Sequence, residues 1–395
     1  MKRFFSYSIL SFFLLLLPTG QASANNNDSI RLSLLTCAPG EEIYSLFGHT
    51  AIRYENSSQG IDVVFNYGLF SFNTPNFIFR FSLGETDYQL GATDYERFAA
   101  EYAFFGRSVW QQTLNLTDEE KTELIRLLQE NYRPENRVYR YNFFYDNCAT
   151  RPRDKIEESI AGKVIYPAEP QDGSLTFRDI VHQYCKGHPW ARFGIDLCIG
   201  SEADQPITQR QMMFAPFYLM DAFDGAQIKS DSIQRPLITA NELVVDATPE
   251  PDESDWMPTP LQCSLLLFIL TAAATIYGIR RRTGLWGIDL FLFGIAGIVG
   301  CVLAFLALFS QHPAVSSNFL LLVFHPGQLL FLPYIIYCVR KGKKCWYLTL
   351  NLAVLTLFIV LFPVIPQRFD FAVVPLALVL LIRSASNLIV TSKKK

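Results

Sequence analysis

The chain has 395 residues, half of them hydrophobic, with a formal net charge of −3 at pH 7 and a mean hydropathy of +0.17. A pI near 6.0 leaves no basic field for a nucleic-acid backbone and excludes that class of partner. Charged residues are concentrated before residue 256, so the sequence divides into a part made for water and a part made for lipid.

Residues 1–24 open with Met1-Lys2-Arg3, continue through an apolar run and end on Ala22-Ser23-Ala24. A basic flank, a short apolar core and a small-x-small exit predict a secretory signal peptide cleaved after Ala24. Residues 25–170 then predict a mixed α+β domain. Segments 30–36, 50–54 and 63–67 are rich in branched and aromatic residues and separated by turn residues, which predicts a β-meander. Helices are expected over 93–105 and 117–132, the second opening on a Thr117-Asp118-Glu119-Glu120 capping box. A returning strand over 138–144 leads to Asp146-Asn147-Cys148 and a helix over about 151–160. Residues 171–245 read as a helical extension, and 246–260 as a Pro- and acid-rich linker.

Five apolar stretches follow, 261–279, 288–309, 318–338, 346–362 and 371–389, each long enough to cross a bilayer. Together they predict an all-α bundle of five transmembrane helices over 261–389, with a basic tail at 390–395. Arg280-Arg281-Arg282, Arg340 to Lys344 and Lys393 to Lys395 follow the first, third and fifth stretches, whereas the segments after the second and fourth carry only Arg368. The positive-inside bias then places the tail in the cytoplasm and residues 25–255 outside.

Of eight cysteines, Cys37, Cys148, Cys185 and Cys198 lie outside the apolar region. An oxidising compartment permits a Cys185–Cys198 disulfide closing a short loop. No CxxC or HxxxH spacing occurs, so neither a metal site nor any other cofactor is expected.

A nucleophilic thiol needs a base within reach and an environment favouring thiolate, which a helix N-terminus supplies. Cys148 sits where a strand gives way to a helix, and Pro152 requires the first turn to lie just after it. Of the three histidines outside the membrane region, His49 opens a strand, while His182 and His188 read as surface or packing residues. Asp62 and Asn66 share one strand face by the period of two, and either could orient the second imidazole nitrogen; each could equally order a turn. Cys37 reads as a buried strand residue. Arg151 and Arg153 could hold a phosphate headgroup or form a solvated pair with Asp154. His325, before Pro326 in the third stretch, reads as a substrate-facing kink or a structural one.

The run from Leu35 to Arg53, containing Cys37-Ala38-Pro39-Gly40 and Leu46-Phe47-Gly48-His49, with Phe65-Asn66-Tyr67-Gly68 and Asp146-Asn147-Cys148, resembles the periplasmic N-terminal domain of the Lnb family. That family is similar to lipoprotein N-acyltransferases. Its His-before-Cys order resembles the permuted papain-like arrangement of NlpC-like peptidases and lecithin:retinol acyltransferases. The resemblance implies a papain-like extracytoplasmic fold, Cys148 as nucleophile, His49 as base and a polar residue of the 62–66 strand as orienter. Lecithin:retinol-type enzymes use a second histidine there, and this strand has none. It further implies an acyl donor among membrane phospholipids and a diacylated lipoprotein acceptor, with Tyr67, Arg151, Arg153 and His325 as candidate substrate contacts. A cell-wall peptidase or lipid hydrolase, and a non-enzymatic membrane sensor or assembly factor, are the competing expectations.

Overall fold

The computed structural model describes residues 29–73, 75–168, 175–230, 233–247 and 257–392; the expected signal peptide, most of the linker and the end of the basic tail lie outside them. Strands β1 (Ile30–Cys37), β2 (His49–Asn56) and β3 (Ile61–Leu69) form the expected antiparallel meander, in a register that pairs Leu34 with Ile52 and Ile52 with Phe65. Side chains alternate between two buried faces. Leu32, Leu34, Ile52, Phe65 and Tyr67 pack on one side, and Leu35, Cys37, Ala51 and Val64 on the other.

Four further strands extend the sheet to the order β10-β5-β1-β2-β3-β4-β6: β4 (Asp87–Asp94), β5 (Val109–Leu114), β6 (Val138–Arg140) and β10 (Ile238–Val245). Sequences such as DYQLGATD carry polar side chains toward the sheet margin and lack the branched run of a central strand. The sheet is covered on one face by α2 (Tyr95–Phe104) and on the other by α3 (Asp118–Tyr132) and α4 (Thr150–Ser159). A short helix, α1 (Phe77–Leu83), links β3 to β4. The capping box at α3 is present, with Thr117 N–H donating to Glu120 at 2.8 Å.

The segment expected to be a helical extension holds α5 (Phe177–Tyr184), α6 (Pro189–Cys198), α7 (Gln209–Met212) and α8 (Pro216–Asp224). It also holds strands: β8 (Gln227–Lys229) pairs with β7 (Lys163–Ile165) on one side and β9 (Gln234–Pro236) on the other, and β10 returns to the main sheet beside β5. The expected Cys185–Cys198 disulfide is not formed; both thiols are free. Cys185 instead packs in the apolar cluster of Ile180, Val181 and Ala203 at the end of α5, while the Ile199 carbonyl next to Cys198 is bonded by Arg178 near the start of that helix.

In the apolar region α9 (Pro260–Arg281), α10 (Trp286–Phe309) and α14 (Val373–Ser392) are, among the described residues, the three helices long and apolar enough to cross a membrane. The third expected span is broken. Residues Phe319–Leu330, ending in α11 (Pro326–Leu330), and α12 (Leu332–Lys341) are bent by 74° and count as a fourth crossing if taken as one. Pro326 and Pro333 each remove a backbone donor at the bend. The fourth expected span is the 16-residue α13 (Trp346–Leu361), shorter than the others.

The two units are docked through the outer ends of the helices. Gly200 N–H donates to Ala314 O (2.7 Å), Ser201 N–H to Ser317 O (2.9 Å) and Gln311 N–H to Leu83 O (2.8 Å). Arg368 bonds Asp204 (2.9 Å) and Asp179 (2.6 Å). The basic clusters lie at the other end, where Arg340 stacks 5.1 Å from the Trp286 ring at the start of α10.

Arg383 and Asp289 form a buried pair (2.7 Å) between α14 and α10, with Thr275 as a further partner at 3.0 Å. Asp289→Ala leaves the guanidinium uncompensated and is expected to cost about 3–5 kcal/mol of stability, read as a lowered unfolding midpoint in detergent. Replacing both residues with Leu and Met is expected to recover most of that loss.

Candidate active site

The strand β2 begins at His49 because Gly48 turns the chain at φ +76°, where a Cβ would lie 2.6 Å from the Cys37 carbonyl oxygen. The ladder pairs His49 with Cys37, on the face covered by α2. Cys148 comes from the opposite face, immediately before Ala149, the residue capping α4, and Ala149 and Ile156 pack with Ile52, Phe65 and Tyr67. The two side chains meet at Gly68, where the β3–β4 ladder is interrupted between Asn66 and Leu69. A Cβ on Gly68 (φ +101°) would lie 3.6 Å from both Cys148 Cβ and His49 Cε1. A glycine is therefore the opening through which thiol and imidazole approach.

Asn66 Oδ1 lies 2.6 Å from His49 Nε2. An amide oxygen only accepts, so the Nε2–H donates to it and the lone pair is left on Nδ1. Asp62, the other expected orienter, is held by Arg53 through Nε (2.8 Å) and Nη2 (2.6 Å), and Arg53 lies 3.3 Å over the Tyr95 ring. Asn66 is thus the residue the structure brings to His49.

Asn147, which the sequence reading passed over, fixes the loop carrying Cys148. Its Oδ1 accepts from the N–H groups of Ala149 (2.9 Å) and Thr150 (3.0 Å), and its Nδ2 donates to the carbonyls of Phe143 and Phe214, both at 2.9 Å. The Thr150 hydroxyl returns a bond to the Asn147 N–H at 2.8 Å. An Asn just ahead of a helix was the available signal.

Burial pushes the Cys148 thiol up to about 11, against the backbone N–H groups of Thr50 and Cys148 that bond the sulfur. Burial likewise lowers His49 to about 4, with the Asn66 bond opposing it and the Arg107 charge adding to it. Burial therefore outweighs the helix end, and the resting pair is a neutral thiol beside a neutral imidazole. Arg107, which donates to Ala38 O at 2.8 Å, is a second residue not foreseen in the sequence. Cys37 is fully buried and its thiol is pushed up to about 12, chiefly by burial.

The remaining expected contacts are engaged by protein groups. Tyr67 is buried and donates to Asn131 (2.8 Å). Arg151 chelates Asp146 (2.6 and 2.7 Å) and lies 3.6 Å over Tyr139; Arg153 bonds Asp154 (2.9 Å) and the Arg210 carbonyl (2.9 Å). His325 caps α11 on the membrane side, 3.3 Å from Asn351. His182 bonds Asp196 (2.9 Å) and His188 lies 3.7 Å from Glu41. Among the described residues no cluster of three His, Cys, Asp or Glu could hold a metal. A recess of about 420 Å³ over α5 and α6, lined by Asp179, His182, Lys186 and Arg192, includes neither Cys148 nor His49.

The molecule thus consists of an α+β domain with a Cys–His–Asn cluster at a sheet opening, docked on a set of apolar helices. Residues 20–182 match the Lnb N-terminal periplasmic domain and residues 252–395 match the Lnb transmembrane domain, in that order and over most of the chain. The chain belongs to the Lnb family. No curated protein and no solved structure matches it.

Two measurements probe this geometry. Asn147→Ala is expected to lower stability by about 0.5–2 kcal/mol, seen as a shifted melting temperature. Alkylation of Cys148 by iodoacetamide, followed by peptide mapping, is expected to rise about tenfold per pH unit between pH 7 and 9, since thiolate is scarce below about 11. A rate already level at pH 7 would instead indicate a preformed thiolate–imidazolium pair.

Proposed function

We propose that this protein is a lipoprotein N-acyltransferase that works through a cysteine thioester. The reading rests on family membership and on one local observation: a half-buried thiol and an Asn66-anchored imidazole both border Gly68, in a domain seated on membrane helices. His49 Nδ1 takes the Cys148 proton as the sulfur attacks an acyl ester carbonyl of a membrane phospholipid. The resulting imidazolium, its Nε2–H held by Asn66, gives that proton to the departing alkoxide, leaving a thioacyl enzyme and a lysophospholipid. The α-amine of a diacylglyceryl-cysteine then attacks the thioester, His49 accepts the amine proton and returns it to the sulfur, and an amide is formed. Because the resting pair is neutral, charge separates only while substrate fills the site and water is excluded.

In this reading the domain lies in the periplasm, on the inner membrane. The apolar segments make five crossings, α13 being a short one of about 24 Å, and the C-terminus is cytoplasmic. The docking of the domain on the ends opposite Arg280–Arg282 and Arg340 supports this orientation. Asp62 has a structural part, holding Arg53 at the far end of the strand.

Mass spectrometry of lipoprotein N-terminal peptides tests the reaction. Cells lacking the protein, and cells with Cys148→Ala, are expected to lose one amide-linked acyl chain; unchanged triacylated peptides in both would discard the proposal. In vitro, His49→Ala is expected to lower kcat/KM by about 10²–10⁴. The wild-type rate of thioacylation, the step that precedes the titratable amine, should hold level from pH 8 down to about 5.5 and fall only as His49 protonates near 4. A limb at the ordinary histidine value would place the base elsewhere.

A further inference from the structure

Residues 69–73 and 75–83 follow the catalytic opening and end in α1, and the chemistry above does not use their side chains. Phe72 is 64% exposed and Ile78 81%; Phe79 and Phe81 are exposed too, and α1 buries none of its residues. A patch this apolar on a folded surface marks a contact.

What covers it follows from where α1 is held. Phe79 lies 5.8 Å from Phe305 of α10, Gln311 N–H donates to Leu83 O, and the His312 ring bonds Phe81 O at 2.5 Å. The patch is therefore continuous with the outer end of a membrane helix whose Val302, Leu308 and Phe309 are themselves exposed. In the orientation proposed above, the neighbouring medium is the outer leaflet. At its other end the segment joins the site directly, because Leu69 and Phe70 follow Gly68. Aromatic rings run without a gap between the two ends: Phe81 stacks on Phe77 at 6.1 Å, Phe77 on Phe70 at 5.8 Å, Phe70 on Tyr88 at 4.9 Å and Tyr88 on Tyr141 at 4.1 Å. Burial chiefly, and the nearby Cys148 sulfur after it, disfavours ionisation of Tyr88 and Tyr141.

The geometry points to residues 69–73 and 75–83 as the ramp by which one acyl chain of an outer-leaflet glycerophospholipid leaves the bilayer and brings its ester to Cys148. This rests on the acyl-transfer reading and names the route of its donor. Each methylene drawn from hydrocarbon into water is unfavourable, and a continuous aromatic surface removes that barrier along the path.

The test uses the full chain in nanodiscs of phosphatidylethanolamine and phosphatidylglycerol, with p-benzoylphenylalanine in place of Ile78, Phe72 or, as a control, the exposed Gln129 of α3. Irradiation is expected to yield phospholipid adducts at 78 and 72 and none at 129, also in the Cys148→Ala background, where no chemistry is needed. In parallel, Ile78→Lys is expected to lower the rate of Cys148 thioacylation by bilayer phospholipid, relative to a water-soluble butyrate ester, by about tenfold. Absent adducts at 78 with normal wild-type thioacylation overturn the ramp alone, as does an Ile78→Lys rate ratio equal to wild type. Adducts at 78 without a thioacyl enzyme from any ester would overturn the acyl-transfer reading, and with it the ramp as a route to Cys148.

Discussion

Arg178 is the group on which the arrangement of the two units depends. Its guanidinium is fully buried, and a cation taken out of water is costly without partners. It finds them in Asp196 (2.7 Å), Asp204 (2.8 Å) and the carbonyls of Ile199 and Gly200 (3.1 and 3.0 Å), and so ties α5, α6 and the turn after α6 into one body. Asp204 is shared with Arg368 from the membrane unit, which also bonds Asp179 and Thr176 at the start of α5. One buried cation thereby sets the height at which the domain sits above the helices, and with it the height of Cys148.

The site itself is a compromise between access and burial. Enclosure lets neither group of the pair hold a charge at rest, which protects the thiol from adventitious oxidation and alkylation. It also means that the work of separating charge falls within the reaction, where Asn66 already holds the imidazole in the tautomer that presents Nδ1. Asn147 and Gly68 would serve the proposed acyl transfer without touching the acyl group. One bonds the first N–H groups at the helix behind the sulfur, and the other, at φ +101°, lies between thiol and imidazole with no side chain of its own.

Much of this was legible from local signals. The meander over β1–β3 and the α3 capping box follow from periodicity and cap chemistry, and the structure has both; Cys148 does precede a helix, but the strand expected over 138–144 ends at Arg140 and turns fill the interval. The strands β4, β5 and β10 were not legible, because their polar sequences become strands only through the neighbours they pair with. The choice between Asp62 and Asn66 was likewise closed to a pattern of period two, which puts both on one face; Arg53, from the adjacent strand, takes Asp62 and leaves Asn66 for His49. The bend in the third apolar stretch was signalled by Pro326, and the short fourth stretch over 346–362 matches the 16-residue α13 to within one residue.

Three of the docking bonds run main chain to main chain, Gly200 to Ala314, Ser201 to Ser317 and Gln311 to Leu83, and beside them side chains such as Asn318, Gln367 and Arg368 reach across the joint. The first kind is indifferent to side-chain identity, and the second is not. Neither kind tolerates a cut. A recombinant product ending before residue 257 would keep its sheet and its thiol but lose acceptors for two amide protons. It would also bare the outer face of α1 and strip Asp204 of one of its two arginines. Such a fragment is a poor object for solution work, and detergent-solubilised full chain is the practical starting point for anyone purifying this protein.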